Sequence, residues 1–152
     1  MKETPVSRLD AEQLCSYIES YGWSFFPEGE QRWVSGWQTE KRAYPLTIDL
    51  TETWLSMSVT PMIKLDIDWS LWPDLVQHIL ELNDQIQLVK LSLDRDGSLT
   101  LSCQLLTVDL SYDSFCESLG ILGYYAEDLY DRLFDKIFQS GLLTPHHSKF
   151  LT

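Results

Sequence analysis

Two runs of alternating apolar and polar residues flank an Asp-Gly pair in the second half of the chain. Val89, Leu91 and Leu93 alternate with Lys90, Ser92 and Asp94, and Leu99, Leu101, Cys103 and Leu105 alternate with Ser98, Thr100, Ser102 and Gln104. A two-residue period places successive side chains on opposite faces of a strand. Asp96 and Gly97 both tolerate the positive φ that a tight hairpin turn requires. The segment therefore predicts an antiparallel β-hairpin.

Three further strands are predicted in the first half of the chain. Residues 32–39 form one candidate strand, and residues 44–51 and 54–59 show the same two-residue alternation. The links between these runs are short, which favours an antiparallel meander. Before them, Trp23-Ser24-Phe25-Phe26 leads into Pro27-Glu28-Gly29, which is typical of a turn.

Apolar residues at helical spacing predict three helices. The first helix is predicted to begin at Ser7 or Asp10, the latter with Gln13 at capping-box spacing, and to end at Gly22. The predicted start and end are Ser70 and Asn83 for the second helix, and Ser111 and Gly141 for the third. Gly120 and Gly123 fall inside the third helix, where each costs about 1 kcal/mol relative to Ala. We expect this cost to be offset by close approach of the helix to another element.

The fold class that follows is α+β, in the order α-β-β-β-α-β-β-α, with helices packed on a five-stranded antiparallel sheet. The chain has 152 residues, which is close to the usual size of one domain. We predict a single α+β domain over residues 1–141. Residues 142–152, which include Pro145-His146-His147, are expected to form a flexible tail.

The segment from Leu80 to Phe115 resembles the YbjN-like family, whose fold is type III secretion chaperone-like. The residues that carry the resemblance are Leu82-Asn83, Val89 to Asp94, Asp96-Gly97, Leu99 to Gln104, and Leu110-Ser111 leading into Phe115. The resemblance implies a sensory or regulatory role, or a chaperone of the small, acidic, dimeric kind. It brings no catalytic motif, and the Trp-rich first half departs from both groups.

The charge balance bears on the class of partner. Eleven Lys and Arg stand against 23 Asp and Glu, which gives a formal net charge of −12. Nucleic-acid binding needs a basic patch, and Lys41-Arg42 is the nearest approach to one. The acidity favours solubility, or a protein partner with a basic or neutral polar segment. We therefore expect a protein or peptide partner and no nucleic acid.

Cysteine usage and hydropathy bear on the compartment. The three cysteines form no CxxC pair, which fits a reducing compartment. No apolar run approaches the roughly 20 residues that span a bilayer, and residues 1–5 lack the apolar region of a signal peptide. We expect a cytoplasmic protein that does not bind a membrane, or one in an organelle stroma if a transit peptide has been removed.

No motif predicts an enzyme, a metal site or a cofactor. Asp94 to Gly97 resembles part of a calcium loop, but Ser92 and Cys103 stand where such a loop requires Asp and Glu. His78 has no second His at helical zinc-site spacing. We therefore predict a non-enzymatic protein-binding module, chaperone-like or regulatory. The alternative is a small-molecule sensor or enzyme with its site between the sheet and the helices.

Six tryptophans fall between residues 23 and 72, and most of them are expected to pack in the core. Trp33, Trp37 and Trp54 lie on the predicted meander, and Trp54 shares a strand face with Ser56 and Ser58. Aromatic residues on a polar sheet face are typical of binding surfaces, so these three are the predicted partner-binding residues. The second helix is apolar over more than one face, which predicts a homodimer interface at Trp72, Leu75, Val76 and Ile79.

Overall fold

The structure, a computed structural model, describes residues 6–65, 70, 72–95 and 97–139, without the side chains of residues 136–139. Three helices and six strands follow one another along this part of the chain. Their bounds are α1 Ala11–Tyr21, β1 Phe25–Pro27, β2 Arg32–Gln38, β3 Ala43–Leu50, β4 Trp54–Lys64, α2 Trp72–Gln85, β5 Val89–Leu93, β6 Ser98–Leu106 and α3 Tyr112–Gln139.

All six strands form one antiparallel sheet in the order β1-β2-β3-β4-β6-β5. The predicted α+β class and the antiparallel sheet are confirmed, but the predicted number of five strands is wrong. The additional strand is β1, which pairs with β2 at the edge of the sheet. Three residues are too few to show an alternation, and Pro27 lacks the N–H that a central strand needs. The sequence pattern therefore indicates only a turn there.

The register of the pairs places one face of every strand in a common core. Trp33 lies opposite Ile48, Ile48 opposite Met57, Met57 opposite Cys103, and Cys103 opposite Val89. All five are buried. The helices cover this face: α3 buries Phe115, Leu119, Leu122, Ala126, Leu129 and Leu133, which confirms the stripe expected from their helical spacing.

The predicted helix caps hold for α1 and for the start of α3. The Asp10 carboxylate accepts a hydrogen bond from the Gln13 N–H at 2.8 Å, and the Gln13 side chain accepts one from the Asp10 N–H. Gly22 follows the helix with φ +91°, and the Ser111 hydroxyl accepts a hydrogen bond from the Ser114 N–H. Asn83, in contrast, does not end α2, which continues to Gln85.

The β5–β6 hairpin is present with Leu93 opposite Leu99. Its link is closed by a hydrogen bond from the Asp94 N–H to the Ser98 carbonyl, and Gly97 has φ +79°. Asp96, the other turn residue of the prediction, lies outside the described residues. So do Gly141 and the predicted tail over 142–152.

The close approach expected at the glycines of α3 is wrong for Gly120 and weak for Gly123. A Cβ on Gly120 would have no neighbour within 4 Å, and one on Gly123 would only touch the Trp37 ring at 4.0 Å. The glycine that the fold needs is Gly36 in β2. A Cβ there would lie 2.8 Å from the Tyr44 carbonyl oxygen, which is closer than two such atoms can pack.

Arg42, in the β2–β3 turn, ties that turn to α3. Its guanidinium donates to Asp131 at 2.8 Å, lies 3.7 Å from a Glu127 oxygen and rests over the Tyr130 ring at 3.6 Å. Lys41 also donates to Asp131, at 3.0 Å. The hydrogen bond from Arg42 holds the pKa of Asp131 below its usual value. The nearest approach to a basic cluster in the sequence is thus paired with acids of α3.

The two glycine environments predict stability changes of opposite sign. Gly120→Ala should raise the free energy of unfolding by about 1 kcal/mol, because the site is open and Ala favours the helix. Gly36→Ala should lower it by about 1–3 kcal/mol, because the backbone of β3 must move. Urea denaturation of both variants beside the parent measures the two shifts. Equal shifts in the same direction would contradict the packing described for Gly36.

The Arg42–Asp131 pair predicts a pH-dependent contribution to stability. A carboxylate whose pKa is lower in the folded state stabilises the fold above its unfolded pKa of about 3.9, and this contribution is lost as the pH falls through the folded pKa. Asp131→Asn should cost about 0.5–1 kcal/mol at pH 7, a modest value because Asp131 is 44% exposed and solvent screens the pair. At pH 3 the difference from the parent should shrink. Urea denaturation at both pH values tests this, and a constant difference would contradict it.

Candidate functional site

The face of the sheet turned away from the helices is uncovered in the described part of the chain; we call it the open face. Its residues follow from the same register that builds the core. They form rows across the strands, and three of these rows are Phe26, Val34, Thr47, Ser58, Ser102 and Lys90; Arg32, Asp49, Ser56 and Gln104; and Trp54 with Leu106. Most of these side chains are half-buried or exposed.

The floor of the open face is made of small hydroxyl side chains. Ser56, Ser58 and Ser102 lie on two neighbouring interior strands, β4 and β6. The Ser56 hydroxyl accepts a hydrogen bond from the Gln104 amide at 3.3 Å, and Gln104 in turn accepts one from Lys90. Because these side chains are short, the middle of the face is shallow, and a bound segment could approach the strands closely.

Larger apolar side chains stand at one end of the open face. Trp54 on β4 lies directly opposite Leu106 on β6, and the two are 44% and 50% exposed. Directly paired side chains on one sheet face are close enough to form a single contact surface. Phe26, at the β1 side of the same face, is 67% exposed. These three residues are the large exposed apolar side chains among the described residues of the open face.

The backbone that carries Trp54 is held on both sides. The Trp54 N–H donates to the Thr51 hydroxyl at 3.0 Å, and the Thr51 N–H donates to the Trp54 carbonyl at 2.8 Å. Thr107, which follows Leu106 and is fully buried, donates from its N–H to Thr53 and from its hydroxyl to the Glu52 carbonyl. The Trp54–Leu106 pair is therefore presented by a fixed turn.

The three predicted partner-binding tryptophans do not share a surface. Trp33 is 4% exposed and lies in the core, so its assignment as a partner-binding residue is wrong for this conformation. Trp37 is half-buried on the helix side of the sheet, stacked between Trp23 at 5.4 Å and Tyr44 at 4.9 Å. Of the three, Trp54 alone lies on the open face. The register of the strands places Trp33 and Trp37 on the opposite face, which the helices cover.

The predicted dimer residues of α2 divide between two environments. Leu75 and Ile79 are buried in the core of the chain itself, so the prediction that they are available to a second copy is wrong for this conformation. Trp72 is half-buried against the same core. Val76 is exposed, together with Leu80 one turn later. The buried stripe of α2 is wider than one side chain. Packing against the sheet of the same chain therefore accounts for part of the apolar surface of this helix.

Leu106 and Phe26 are the open-face residues that sequence analysis missed. Leu106 follows Leu105, so it breaks the two-residue alternation and looks like the end of a strand. Leu106 is important because it lies opposite Trp54, which is 52 positions earlier in the chain. A single sequence carries no signal of pairing between residues so far apart. Phe26 precedes Pro27 in a segment that has the pattern of a turn.

The space between the sheet and the helices is the alternative site. The cavity there that is lined by Ile18, Tyr21, Trp23, Ser35, Leu46, Ile48, Phe115 and Leu119 measures about 10 Å³. That is roughly the space of one water molecule. Burial raises the pKa of the neighbouring Tyr21, and burial raises the pKa of the Cys103 thiol to about 11, which keeps it protonated and unreactive at neutral pH. This cavity does not accommodate a substrate.

The described residues contain no group of three or more His, Cys, Asp or Glu side chains placed to hold a metal ion. Within the same described residues, no helix combines the length and the apolar character needed to cross a bilayer.

The acidic residues are concentrated on the helices. α1, α2 and α3 contain eleven Asp and Glu against two Lys and Arg, whereas the six strands contain one Asp against three Lys and Arg. The one strand Asp, Asp49, is paired with Arg32 at 2.7 Å on the open face. The strands therefore do not share the net negative charge of the chain.

Comparison of the sequence with protein-family models finds no match, and comparison with curated protein sequences finds none. Comparison with solved structures finds similar folds. YbjN from E. coli, described as a candidate transcription regulator, is 18% identical over 93% of this chain and 100% of its own, with a TM-score of 0.59. A chain of the heterodimeric ExoU–SpcU complex from the type III secretion system of Pseudomonas aeruginosa, the chaperone SpcU, is 17% identical over 78% of this chain and 92% of its own, with a TM-score of 0.52. The chain thus has the α+β fold of YbjN and of the type III secretion chaperone SpcU.

Proposed function

We propose that this protein is a non-enzymatic, chaperone-like binding module that holds a segment of a partner protein against its open face. The observation that carries the proposal is the Trp54–Leu106 pair. It places two large apolar side chains, each about half exposed, on a sheet face that the described helices leave uncovered. An aromatic residue presented on a rigid backbone beside a polar surface is typical of an interface anchor.

A segment fits this face better than a small molecule does. The hydroxyl floor between Ser56 and Ser102 is flat and offers hydrogen bonds without a closed pocket. Most ligand sites for small molecules are concave and largely enclosed. A peptide could place one apolar residue against Trp54 and Leu106 and lay polar side chains along the hydroxyls.

The distribution of charge on the protein bears on the charge of the expected partner segment. A basic segment would be attracted to the acidic helices, whereas the open face combines Lys90 and the Arg32–Asp49 pair. We therefore propose a partner segment that is apolar and polar but not strongly basic. Of the two alternatives that the net charge leaves open, a basic or a neutral polar segment, this proposal takes the second.

The structural neighbours support a protein partner in general terms. SpcU occurs in a heterodimeric complex with ExoU, which is an example of this fold bound to another protein. YbjN is a candidate transcription regulator, which supports regulation as the second proposed role. Neither neighbour is described as an enzyme. In both proposed roles the setting is the cytoplasm, in keeping with three free cysteines.

The proposal predicts that Trp54→Ala weakens partner capture at least tenfold. An interface anchor of this kind commonly contributes about 2 kcal/mol or more, and 1.4 kcal/mol corresponds to a factor of ten. The measurement is quantitative affinity capture from the native cytosol, read by mass spectrometry. The variant should keep the parent's circular dichroism spectrum, because Trp54 is outside the core.

The matched control is Tyr124→Ala. Tyr124 is another exposed aromatic residue, 66% accessible, but it lies on α3 in the helical layer. Its removal should change capture less than twofold. Equal losses in both variants would indicate general stickiness of exposed aromatics, and a loss confined to Tyr124→Ala would place the partner on the helices; each result rejects the open face.

A further inference from the structure

Strand β5 is one edge of the sheet, and its outward backbone groups have no strand to pair with among the residues that the structure describes. In an antiparallel ladder each residue directs both its N–H and its C=O to the same side. Leu91 directs both groups away from β6. Where such outward groups are left unpaired, they are a template on which another chain can add a strand.

The side chain of Asn83 occupies both outward groups of Leu91. The Leu91 N–H donates to the Asn83 amide oxygen at 2.8 Å, and the Asn83 amide nitrogen donates to the Leu91 carbonyl at 3.0 Å. A primary amide offers the same donor and acceptor that an added strand would offer. Asn83 belongs to α2, so the contact is made across the edge by a residue eight positions before Leu91.

The next outward N–H along the strand is also occupied. The Val89 N–H donates to the Gln87 carbonyl at 2.7 Å, around Leu88, which has φ +68°. The sharp turn at Leu88 thus closes the start of the edge locally, and Asn83 closes its middle. Two consecutive outward N–H groups of β5 are therefore unavailable to an incoming strand.

We propose that Asn83 closes the β5 edge against strand addition, and that removal of its amide lets β5 pair with β5 of a second copy of this chain. This inference is independent of the open face. Pairing between exposed sheet edges is a common source of unwanted association. A closed β5 edge keeps two copies of the chain from joining their sheets in this way.

The sequence of β5 is compatible with such self-pairing. In an antiparallel pair centred on Leu91, that residue lies opposite its own copy and the two exchange both hydrogen bonds. Val89 then lies opposite Leu93, in a pair that forms one hydrogen bond and not two because the Val89 N–H donates to Gln87. Lys90 lies opposite Ser92. No like charges face each other directly, so the ladder itself does not oppose the pairing.

An exposed apolar strip adjoins the closed edge. Val76 and Leu80 precede Asn83 by seven and three positions, which places all three along one side of α2. Val76 is 38% exposed and Leu80 is 63% exposed. Once Asn83 no longer fills the edge, these side chains supply apolar contact area next to the new strand pair.

The test replaces Asn83 with Leu, which has the same number and branching of side-chain heavy atoms and favours the helix but removes both hydrogen bonds. Amide hydrogen exchange at Leu91, followed by NMR, should become at least tenfold faster at concentrations too low for association. Sedimentation equilibrium should show that the variant self-associates at concentrations at least tenfold lower than the parent does. Asp84→Leu is the matched control, because it adds the same side chain at the neighbouring exposed position. It should leave both measurements at the parental values.

A second substitution tests the route of association. Asn83→Leu combined with Ser92→Lys places the new ammonium group opposite Lys90 of the second copy, and it should return the association to the parental level while Leu91 exchange stays fast. Unchanged Leu91 exchange in Asn83→Leu would overturn the closure. Parental association, or association that survives Ser92→Lys, would overturn the pairing. If Asn83→Leu does not fold, Asn83→Ala removes the same hydrogen bonds with less bulk and is read in the same way.

Discussion

The hydrogen-bonded register between β4 and β6 determines on which side of the sheet every strand residue lies. Their pairing joins the N-terminal meander, which ends with β4, to the C-terminal hairpin of β5 and β6. Met57 lies opposite Cys103 and Ser58 opposite Ser102. A slip of one residue would turn the core side chains outward and bring the hydroxyls into the core. The large loss of apolar burial in that arrangement holds the register, and with it the open face.

The same register explains why binding is assigned to one surface. On the helix side, aromatic stacking and α3 fill the space, and the cavity beside Phe115 has room for about one water molecule. At the β5 edge, Asn83 takes the place of a strand. At the other edge, β1 is three residues long and ends in Pro27. Trp54 and Leu106 are then the paired, exposed apolar side chains that a segment on the open face can cover.

Local sequence rules account for much of the architecture. The alternation around Gly97, the capping box at Asp10 and the stripe of α3 each depend on residues close together in sequence, and all three are present. The short strand β1 escapes these rules because three residues ending in Pro show no period. Because Asn is common after helices, Asn83 has the sequence pattern of a helix end. In the structure its side-chain amide instead bonds to Leu91 of β5.

The candidate site is less predictable, for a physical reason. Which tryptophan is exposed depends on which strand face is covered, and that is decided by pairing between residues far apart in sequence. The alternation with Ser56 and Ser58 places Trp54 on a polar strand face, but the residues around Trp33 show no such alternation. Trp33 lies opposite Ile48 in the core, whereas Trp54 lies opposite Leu106 in solvent. Likewise, the net charge of −12 describes the chain as a whole but not its surfaces, because most of the acids lie outside the strands.

Site-specific photo-crosslinking tests most directly the claim that a partner segment lies on the open face. A photoreactive phenylalanine analogue at position 58 stands in the middle of that face, and one at position 117 stands on the exposed side of α3. On irradiation in the native cytosol, position 58 should give a discrete crosslinked partner, and that crosslink should fade when Leu106 is replaced by Lys. Position 117 should give none. A crosslink to the same partner from position 117, with none from position 58, would contradict the account.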